Sequence, residues 1–312
     1  MSNRSKIELP INNRKEYYMN VSDYYQYLLA LESRKTLTKD ERNNLLTYYN
    51  GKEGERYFKS FLNTIPNISY IYDFEFGNQH HVQIDYLVAT DNTLFLFEIK
   101  HYRDEWHFEQ DYLKSSYGLT TKSPIKQTKF MKFELEKLLY KNGIHINIQT
   151  FIIFTNPHFI PVGTWPHNQN IIYFNQLNQI KEILQSHSSK FNPALLNFLL
   201  QHKKIHSTYY QKEITPYFDL SLAGVKCPSC RKMHTIKIIE NKIYSNCMYC
   251  HSKIKCEEIV LYNLKELYYI KRDGFTFEEA IQWCYPFRSH TIKRVCNNHF
   301  KSEKLRNKKF YL

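Results

Sequence analysis

An acidic pair within residues 83–100 has the spacing needed to hold a cation beside a phosphate. Apolar and polar residues alternate on both sides of Asp91 and Asn92, which predicts two strands joined by a two-residue hairpin turn. Counted outward from that turn, Asp85 faces Glu98 across the two strands. Their Cβ atoms would lie about 5 Å apart on one face of the hairpin.

Two like charges that face each other inside a sheet are destabilising unless a counter-charge lies nearby. A divalent cation would supply that charge, and the hard oxygen atoms of Asp85 and Glu98 favour Mg²⁺ or Mn²⁺ over Zn²⁺. The Ile99 carbonyl oxygen is a further candidate ligand. Lys100 follows Glu98 by two residues, so it shares the same face and can orient or deprotonate a water, or stabilise charge that builds on a phosphate.

The alternative interpretation is a hairpin with one solvated face, in which Glu98 and Lys100 form an ordinary surface pair. The apolar character of the remaining positions weakens this alternative. Leu87 and Leu96 should share the face of the carboxylates, where Gln83 should also face Lys100. The opposite face is expected to carry only apolar and aromatic residues: Val82, Ile84, Tyr86, Val88, Phe95, Phe97 and Ile99.

Two further polar residues lie on helices that are predicted to flank these strands. Glu55 ends the segment GKEGE at residues 51–55 and precedes Phe58 by three residues, so both lie on one inward stripe. A buried Glu is costly unless it binds a metal or a cation, although an acidic residue in a first helical turn is also a common dipole contact. Gln127 follows Pro124 by three residues, at the start of a helix that should pack on the same sheet.

The periodicity of the surrounding chain predicts an α/β domain of residues 51–205, preceded by a helical lead of residues 1–50. In the lead, Thr38 is expected to cap a helix that ends at Asn50, and the glycines of GKEGE then start another helix. Residues 102–123 are expected to form a loop. Strands are predicted over 69–76, 81–89, 93–101, 149–155 and 171–174, and helices over 124–141, 177–187 and 193–202.

Four motifs in this order resemble those of the nuclease-related (NERD) domain across about residues 51–155: GKEGE, QID, FEIK and PxxQ. That family belongs to the PD-(D/E)xK restriction-endonuclease-like superfamily. The resemblance therefore implies a mixed sheet flanked by helices, and a metal-dependent nuclease that processes DNA. The hairpin turn lacks the glycine common in the family and has Asp91-Asn92, which both tolerate positive φ. The residues that match the family's active-site motifs are Glu55, Asp85, Glu98, Lys100 and Gln127.

A second site is indicated by four cysteines in two CxxC motifs, which 16 residues separate. This spacing is typical of a tetrahedral zinc site, and a hairpin predicted around residues 240–241 makes residues 222–258 resemble a zinc ribbon. Such a small unit lacks the core to fold alone, so the zinc would be structural. The alternative is four free or redox-active thiols. The four candidate ligands are Cys227, Cys230, Cys247 and Cys250.

A linker is predicted over residues 206–221, and a helical, basic segment over residues 259–312. Helices over 273–284 and 290–299, the second capped by Ser289, could form a helix-turn-helix or simply pack as two short helices. Together with the zinc ribbon and a basic tail, they favour nucleic-acid binding over protein docking as the role of this module. Cys284 and Cys296 lie on apolar helix faces and are expected to be core residues.

The whole chain is basic, with 43 Lys and Arg against 30 Asp and Glu in 312 residues, a net charge of +13. Such an excess favours a polyanionic partner, although a Lys-rich proteome would produce it as well. No signal-peptide core and no apolar run of about 20 residues is present, so a cytoplasmic location without a membrane contact is expected. The sequence contains no P-loop, so a helicase would have to be a separate partner.

These patterns together predict a Mg²⁺- or Mn²⁺-dependent nuclease that hydrolyses phosphodiester bonds, with DNA as the expected substrate and the zinc ribbon as a targeting module. Two alternatives remain open. One is a non-catalytic protein that binds nucleic acid, and the other is a scaffold whose zinc ribbon binds a protein. A homodimer would suit cleavage of both strands, and defence against phage or other foreign DNA and DNA repair are both compatible with the chemistry.

Overall fold

The computed structural model describes residues 22–77, 80–109, 111–166, 170–186, 192–204, 212–239, 242–303 and 308–312. Residues 1–21 of the predicted helical lead and 206–211 of the predicted linker lie outside these ranges. The contacts divide the chain into two compact units. The first lies within Leu46–Tyr209, and the second lies within Asn12–Leu45 and Tyr210–Leu312.

Helices and strands alternate in the first unit, whereas short elements predominate in the second. The helices in the described ranges are α1 (Asp23–Leu31), α2 (Lys39–Leu62), α3 (Pro124–Lys141), α4 (Leu177–Ser186), α5 (Pro193–His202), α6 (Cys256–Lys271), α7 (Phe277–Trp283) and α8 (Ser289–His299). The strands of the first unit are β1 (Tyr70–Phe76), β2 (Val82–Ala89), β3 (Thr93–Lys100), β4 (Asp104–Phe108), β5 (Tyr112–Ser115), β6 (Thr120–Lys122), β7 (Asn147–Phe154), β8 (Phe159–Val162) and β9 (Ile171–Tyr173). Those of the second unit are β10 (Ile236–Lys237), β11 (Tyr244–Cys247), β12 (Lys253–Lys255), β13 (Phe275–Thr276), β14 (Lys301–Ser302) and β15 (Lys309–Tyr311).

A five-stranded mixed sheet in the order β1-β2-β3-β7-β9 forms the centre of the first unit. β1, β2 and β3 are antiparallel, whereas β3, β7 and β9 run parallel to one another. The predicted fold class, a mixed sheet flanked by helices, is confirmed. The ladder between β2 and β3 pairs Leu87 with Leu96, and the Thr90 N–H donates to the Thr93 carbonyl at 2.9 Å. The predicted register of the hairpin is therefore confirmed next to its turn.

Two apolar clusters cover the two faces of this sheet, which explains why its strands are almost fully buried. On one face, Met131 and Leu135 of α3 and Leu199 of α5 pack on residues such as Leu87 and Leu96. On the other face, α2 and α4 pack on the odd-numbered residues of β3. The members of the second cluster from helices are Phe58, Leu62, Leu177, Ile180 and Leu184.

The two helices predicted over residues 38–65 are instead the single helix α2, which continues through Gly51 and Gly54. The predicted cap at its start is confirmed, because the Glu41 N–H donates to Thr38 Oγ1 at 3.2 Å and the Thr38 N–H donates to Glu41 Oε2 at 2.8 Å. A helix interior tolerates glycine at a cost of only about 1 kcal/mol, and tertiary packing offsets that cost.

The loop predicted over residues 102–123 is also wrong. Three short strands fill it, and β8 joins them in a second sheet with the order β6-β5-β4-β8. These strands are three to five residues long and half exposed, so they lack the apolar run by which sequence reasoning recognises a strand. Trp106, Leu113 and Phe159 from this sheet pack with Ile152 and Phe154 of β7.

The second unit contains a three-stranded sheet of β10, β11 and β12, a group of helices, and a further sheet in the order β13-β15-β14. α1 packs against α6, so the N-terminal helix and the C-terminal helices form one unit. The two ends of the predicted basic tail form β14 and β15, and residues 304–307 lie outside the described ranges. Arg288, rather than the predicted Ser289, occupies the N-cap position of α8. No helix in the described ranges is long and apolar enough to cross a membrane.

A buried ionic cluster links distant segments of this second unit. The Glu266 carboxylate accepts hydrogen bonds from Arg34 Nη2 at 2.8 Å and from Lys226 Nζ at 2.9 Å, and all three side chains are at most 1% exposed. Lys226 Nζ also donates to the Ala30 carbonyl at 2.9 Å. Burial lowers the pKa of Lys226 to about 8 despite the adjacent carboxylate, because its ammonium group has lost its hydration. The cluster is therefore held by one anion between two cations.

We expect Glu266→Gln to destabilise the protein by about 3 kcal/mol, because it leaves two buried cations without their anion. Equilibrium unfolding in urea measures this loss. Glu278→Gln, which changes an exposed carboxylate, is the matched control and should change the free energy of unfolding by less than about 0.5 kcal/mol. Equal stability of the two variants would contradict the assigned role of Glu266.

Candidate active site and metal centre

The candidate active site lies where β2 and β3 separate. Their backbone ladder ends at the pair Tyr86–Phe97, and the next residue of β2 is Asp85. Its Oδ2 atom accepts a hydrogen bond from the Ile99 N–H at 2.7 Å, so a side chain replaces the backbone partner at this position. Glu98 then lies across from Asp85 in the count of residues, as the sequence predicts.

The side-chain alternation predicted along β2 is wrong beyond this point. Val82 and Ile84 pack in the same apolar cluster as Leu87, although they were expected on the opposite face. The pair Asp73–Asp85 is missing from the otherwise continuous ladder between β1 and β2, and Asp73 has a φ of +53°. Both strands therefore change face at this pair, which sequence periodicity has no means of detecting.

Lys100 bridges the sheet and helix α3. Its Nζ donates to Glu98 Oε1 at 2.5 Å and to Gln127 Oε1 at 3.0 Å, so the structure brings these three predicted residues together. Gln83 does not face Lys100 as expected, because the change of face turns it toward Asp73, and its amide donates to Asp73 Oδ1 at 2.5 Å. Burial opposes charge on Lys100, but the Glu98 carboxylate outweighs it and raises the pKa of the ammonium group above its usual value.

Glu98 is buried and Asp85 is half-buried, and both carboxyl groups resist ionisation. Burial raises the pKa of Asp85 well above its usual value, and the nearby carboxylates of Glu98 and Glu55 raise it further. Burial also raises the pKa of Glu98, although Lys100 opposes that shift. Glu98 Oε2 is buried and has no partner at hydrogen-bond geometry among the described residues, while the nearby Gln127 side chain helps to lower the pKa of Glu98.

A divalent cation fits this donor set. A buried carboxylate oxygen without a donor is costly, and neighbouring carboxylates repel one another unless a positive charge lies close to both. Glu98 Oε2 and the Asp85 carboxylate supply hard oxygen atoms of the kind that Mg²⁺ and Mn²⁺ prefer. Lys100 supplies only one positive charge, through Glu98 Oε1.

Glu55 lies on α2 in a separate hydrogen-bonded group. Lys52 Nζ donates to its Oε2 atom at 2.8 Å, and the Tyr72 hydroxyl donates a short hydrogen bond to the same oxygen. The Tyr86 hydroxyl donates to the Glu55 carbonyl at 2.7 Å. Glu55 still raises the pKa of Asp85 and thus lies within electrostatic reach of it. Sequence reasoning missed the two partners, although Lys52 lies three residues before Glu55 on the same helix.

The second glycine of GKEGE has a packing reason. A Cβ atom on Gly54 would lie 2.6 Å from the Cβ of His101 and 2.8 Å from Thr155 Oγ1, closer than real contacts allow. Helix α2 therefore approaches the ends of β3 and β7 directly. A Cβ on Gly51 would meet nothing within 4 Å, so packing explains only one of the two glycines.

The four cysteines of the second unit converge on one point. Their sulfur atoms all lie within 4.8 Å of one another, with 3.8 Å between Cys227 and Cys250 and 3.6 Å between Cys230 and Cys247. Zn–S bonds of about 2.3 Å in a tetrahedron place sulfurs roughly 3.8 Å apart, which matches these distances. This is the only group of three or more Cys, His, Asp or Glu ligands in the described ranges that is so compact.

Burial raises the pKa of Cys227 and Cys230, whereas hydrogen-bond donors favour the thiolate at Cys247. The backbone N–H groups of Tyr249 and Cys250 point at Cys247 Sγ, at 3.4 and 3.5 Å. Burial opposes ionisation of this thiol, but these donors outweigh it and lower the pKa of Cys247 to about 6. Cys284 and Cys296 are fully buried, which confirms their prediction as core residues.

Comparison with known families gives one match. Residues 50–155 match the family model of the nuclease-related domain, NERD, which confirms the resemblance found in the sequence motifs. At the level of the family, this match indicates a nuclease-related function, nucleic-acid binding and use of a divalent metal. No curated protein matches the chain, and no solved structure matches it.

We expect Asp85→Asn to raise the melting temperature by about 2–4 °C at pH 7 without divalent cations, because it removes one buried carboxylate. The pKa of Asp85 is raised on folding, so its contribution to stability is greatest below about pH 4 and is lost as pH rises. The gain from the substitution should therefore grow from pH 4 to pH 7. Asp91→Asn, on the exposed turn, is the control, and equal pH profiles would contradict the assignment.

We expect one zinc ion per chain, and its removal by a chelator should unfold residues 222–258 because this segment has little core of its own. Hydrogen exchange measures the loss of protection there, while residues 46–204 should keep theirs. Cys247→Ser should lose the zinc, whereas Cys256→Ser, outside the cluster, should retain it. A protein that contains no zinc would indicate that the cysteines are free thiols, and unchanged exchange after zinc removal would contradict a structural role for the metal.

Proposed function

We propose that this protein is a Mg²⁺- or Mn²⁺-dependent nuclease that hydrolyses phosphodiester bonds of DNA at the site around Asp85, Glu98 and Lys100. The observation that carries the proposal is the buried Glu98 oxygen that lacks a hydrogen-bond donor, next to the ionisation-resistant Asp85. A buried carboxylate oxygen without a donor destabilises the fold, and the ion pair of Glu98 with Lys100 involves only the other oxygen. A cation at this position would compensate the charge of the carboxylates and could bind the phosphate of a substrate.

The ligands of the cation would be Asp85, Glu98 and the Ile99 carbonyl. In a strand, the N–H and the C=O of one residue point to the same side. The Ile99 N–H points to Asp85, so the Ile99 carbonyl also points toward the gap where β2 has left the ladder. When bound there, Mg²⁺ would lower the pKa of a coordinated water and offset the charge of the phosphate.

Lys100 would act as a charged donor. Because its pKa is raised, it keeps its proton at neutral pH and cannot serve as a general base. Its ammonium group is held between Glu98 and Gln127, so it can donate to a phosphate oxygen or to the attacking water with little reorganisation. Gln127 would thus orient Lys100 from α3.

Glu55 would act from α2 at a greater remove. Lys52 and Tyr72 donate hydrogen bonds to one of its oxygens. Its negative charge disfavours ionisation of Asp85 and so favours the binding of a cation there. It would therefore help to hold the cation through the field it creates, or through a water between them.

The zinc ribbon would hold the nucleic acid on which the first unit acts. Lys232 Nζ lies 4.2 Å from the ring centre of Tyr249, and Lys253 Nζ lies 5.0 Å from that of Tyr244. Both tyrosines are more than 40% exposed. Alternating cations and exposed rings suit a phosphate backbone and stacked bases. The net charge of +13 supports the same partner.

The proposal also includes the cellular location, the partners and the biological role of the protein. They are a cytoplasmic location, a homodimer or a separate helicase as partner, and a role in defence against phage or other foreign DNA. Each of these features is part of the proposal because DNA is the proposed substrate.

We expect Mg²⁺-dependent cleavage of DNA that Asp85→Asn and Lys100→Ala each reduce by at least about 100-fold, as loss of one transition-state contact does. Gel analysis of plasmid, linear and single-stranded DNA, with RNA alongside, measures the loss. Lys129→Ala, an exposed lysine on α3, is the matched control and should cut like the wild type.

Glu98→Gln should abolish cleavage but retain nucleic-acid binding, because it removes one negative charge near the phosphate. A wild-type protein that binds DNA but cuts no substrate with Mg²⁺ or Mn²⁺ would favour the non-catalytic alternative. Variants that all cut like the wild type would show that the assigned residues are wrong.

A further inference from the structure

A cleft of about 550 Å³ opens at the carboxyl ends of the parallel strands of the main sheet. His101 follows β3, Thr155 follows β7 and Phe174 follows β9, and all three line it. The carboxyl edge of parallel strands is where α/β proteins commonly bind ligands, because several loops converge there. The volume is in the range of small-molecule sites.

The cleft borders the candidate active site. His101 is the next residue after Lys100, and the Thr155 N–H donates to the Lys100 carbonyl at 2.9 Å. The His101 ring is fixed on both sides, by Thr155 Oγ1 at 2.9 Å and by the Asn156 amide at 3.3 Å. Lys100 points toward α3 and the cleft lies beside α2, so a DNA strand whose phosphate reaches Lys100 would enter the cleft across the end of β3.

One wall of the cleft is aromatic. Tyr57 of α2 packs on Phe174 with 5.3 Å between ring centres and a tilt of 35°, and it remains 39% exposed. A large ring that is fixed from behind and open in front is suited to stacking against a nucleobase.

The other lining groups are polar. The Arg103 side chain is 69% exposed, and its Nε lies 3.7 Å from Asp104 Oδ2 in an exposed ion pair, so a phosphate can reach the guanidinium group from solvent. His158 also lines the cleft, two residues after Asn156. Asn50 and Glu53 line the cleft from α2, where the amide can donate and accept hydrogen bonds at the edge of a base and the carboxylate can accept them.

We propose that this cleft binds one unpaired nucleotide of the substrate strand, beside the phosphate to be cleaved, with its base stacked on Tyr57 and its backbone near Arg103. The proposal rests on the proposed nuclease function for the position of the phosphate. A base inside an intact duplex cannot reach a side cleft without leaving the stack. The protein should therefore prefer single-stranded DNA, or the frayed end of a duplex, over intact duplex.

Binding tests the cleft without catalysis. The probe is a single-stranded oligonucleotide that contains 2-aminopurine, whose fluorescence falls when it stacks on a ring. Tyr57→Ala should weaken binding about tenfold and abolish the quenching, as loss of one stacked base does. Tyr57→Phe should restore both. Tyr117→Ala, which removes a tyrosine that is 77% exposed on another loop, is the control and should behave like the wild type.

Cleavage tests the link to the active site. The wild type should cut single-stranded DNA faster than a matched blunt duplex, and Tyr57→Ala and the surface variant Arg103→Gln should each reduce that ratio. Cleavage with an unchanged ratio in both variants, together with unchanged quenching, would overturn the cleft proposal while leaving the nuclease intact. If the wild type cuts nothing, the nuclease proposal fails, and quenching that depends on Tyr57 alone decides whether the cleft binds a base.

Discussion

The first unit depends on one electrostatic constraint, which is that one buried and one half-buried carboxyl group lie close together where two antiparallel strands separate. Asp85 fills the gap in the ladder by accepting the Ile99 N–H, and Glu98 occupies the facing position with one oxygen that no described residue satisfies. Burial and mutual repulsion both disfavour the ionised pair, so the apolar packing on both faces of the sheet must offset this cost. The dense core is therefore a condition for the site as well as for the fold.

The polar partners of these carboxyl groups come from three elements that are distant in sequence. Lys100 ends β3, Gln127 of α3 accepts a hydrogen bond from it, and Lys52 pairs with Glu55 on α2. α2 can approach only because Gly54 has no side chain, since a Cβ there would overlap His101. The motif GKEGE thus contains the acidic Glu55, its partner Lys52 and the closely packed Gly54 within five residues. Each of these three positions therefore has its own structural reason.

The sequence predicted those parts of the fold that local rules determine. The hairpin register, helix α3, the four-cysteine cluster and the cap of α2 follow from periodicity, spacing and capping chemistry, and all appear in the structure. The missed features are non-local or weakly patterned. The second sheet has short, half-exposed strands, the change of face at Asp73 needs a positive φ, and the Arg34–Glu266 pair spans 232 residues.

The antiparallel and the parallel strands of the main sheet have different roles in building the site and the cleft beside it. The antiparallel half brings Asp85 and Glu98 together through a two-residue turn, which needs only neighbours in sequence. The parallel half, β3, β7 and β9, brings three loops to one edge, which needs crossovers through α3 and the second sheet. β3 belongs to both halves, so Lys100 at its end lies where the acidic pair meets the loops. A change in those loops would therefore alter the cleft at this edge of the sheet without disturbing the β2–β3 ladder next to Asp85 and Glu98.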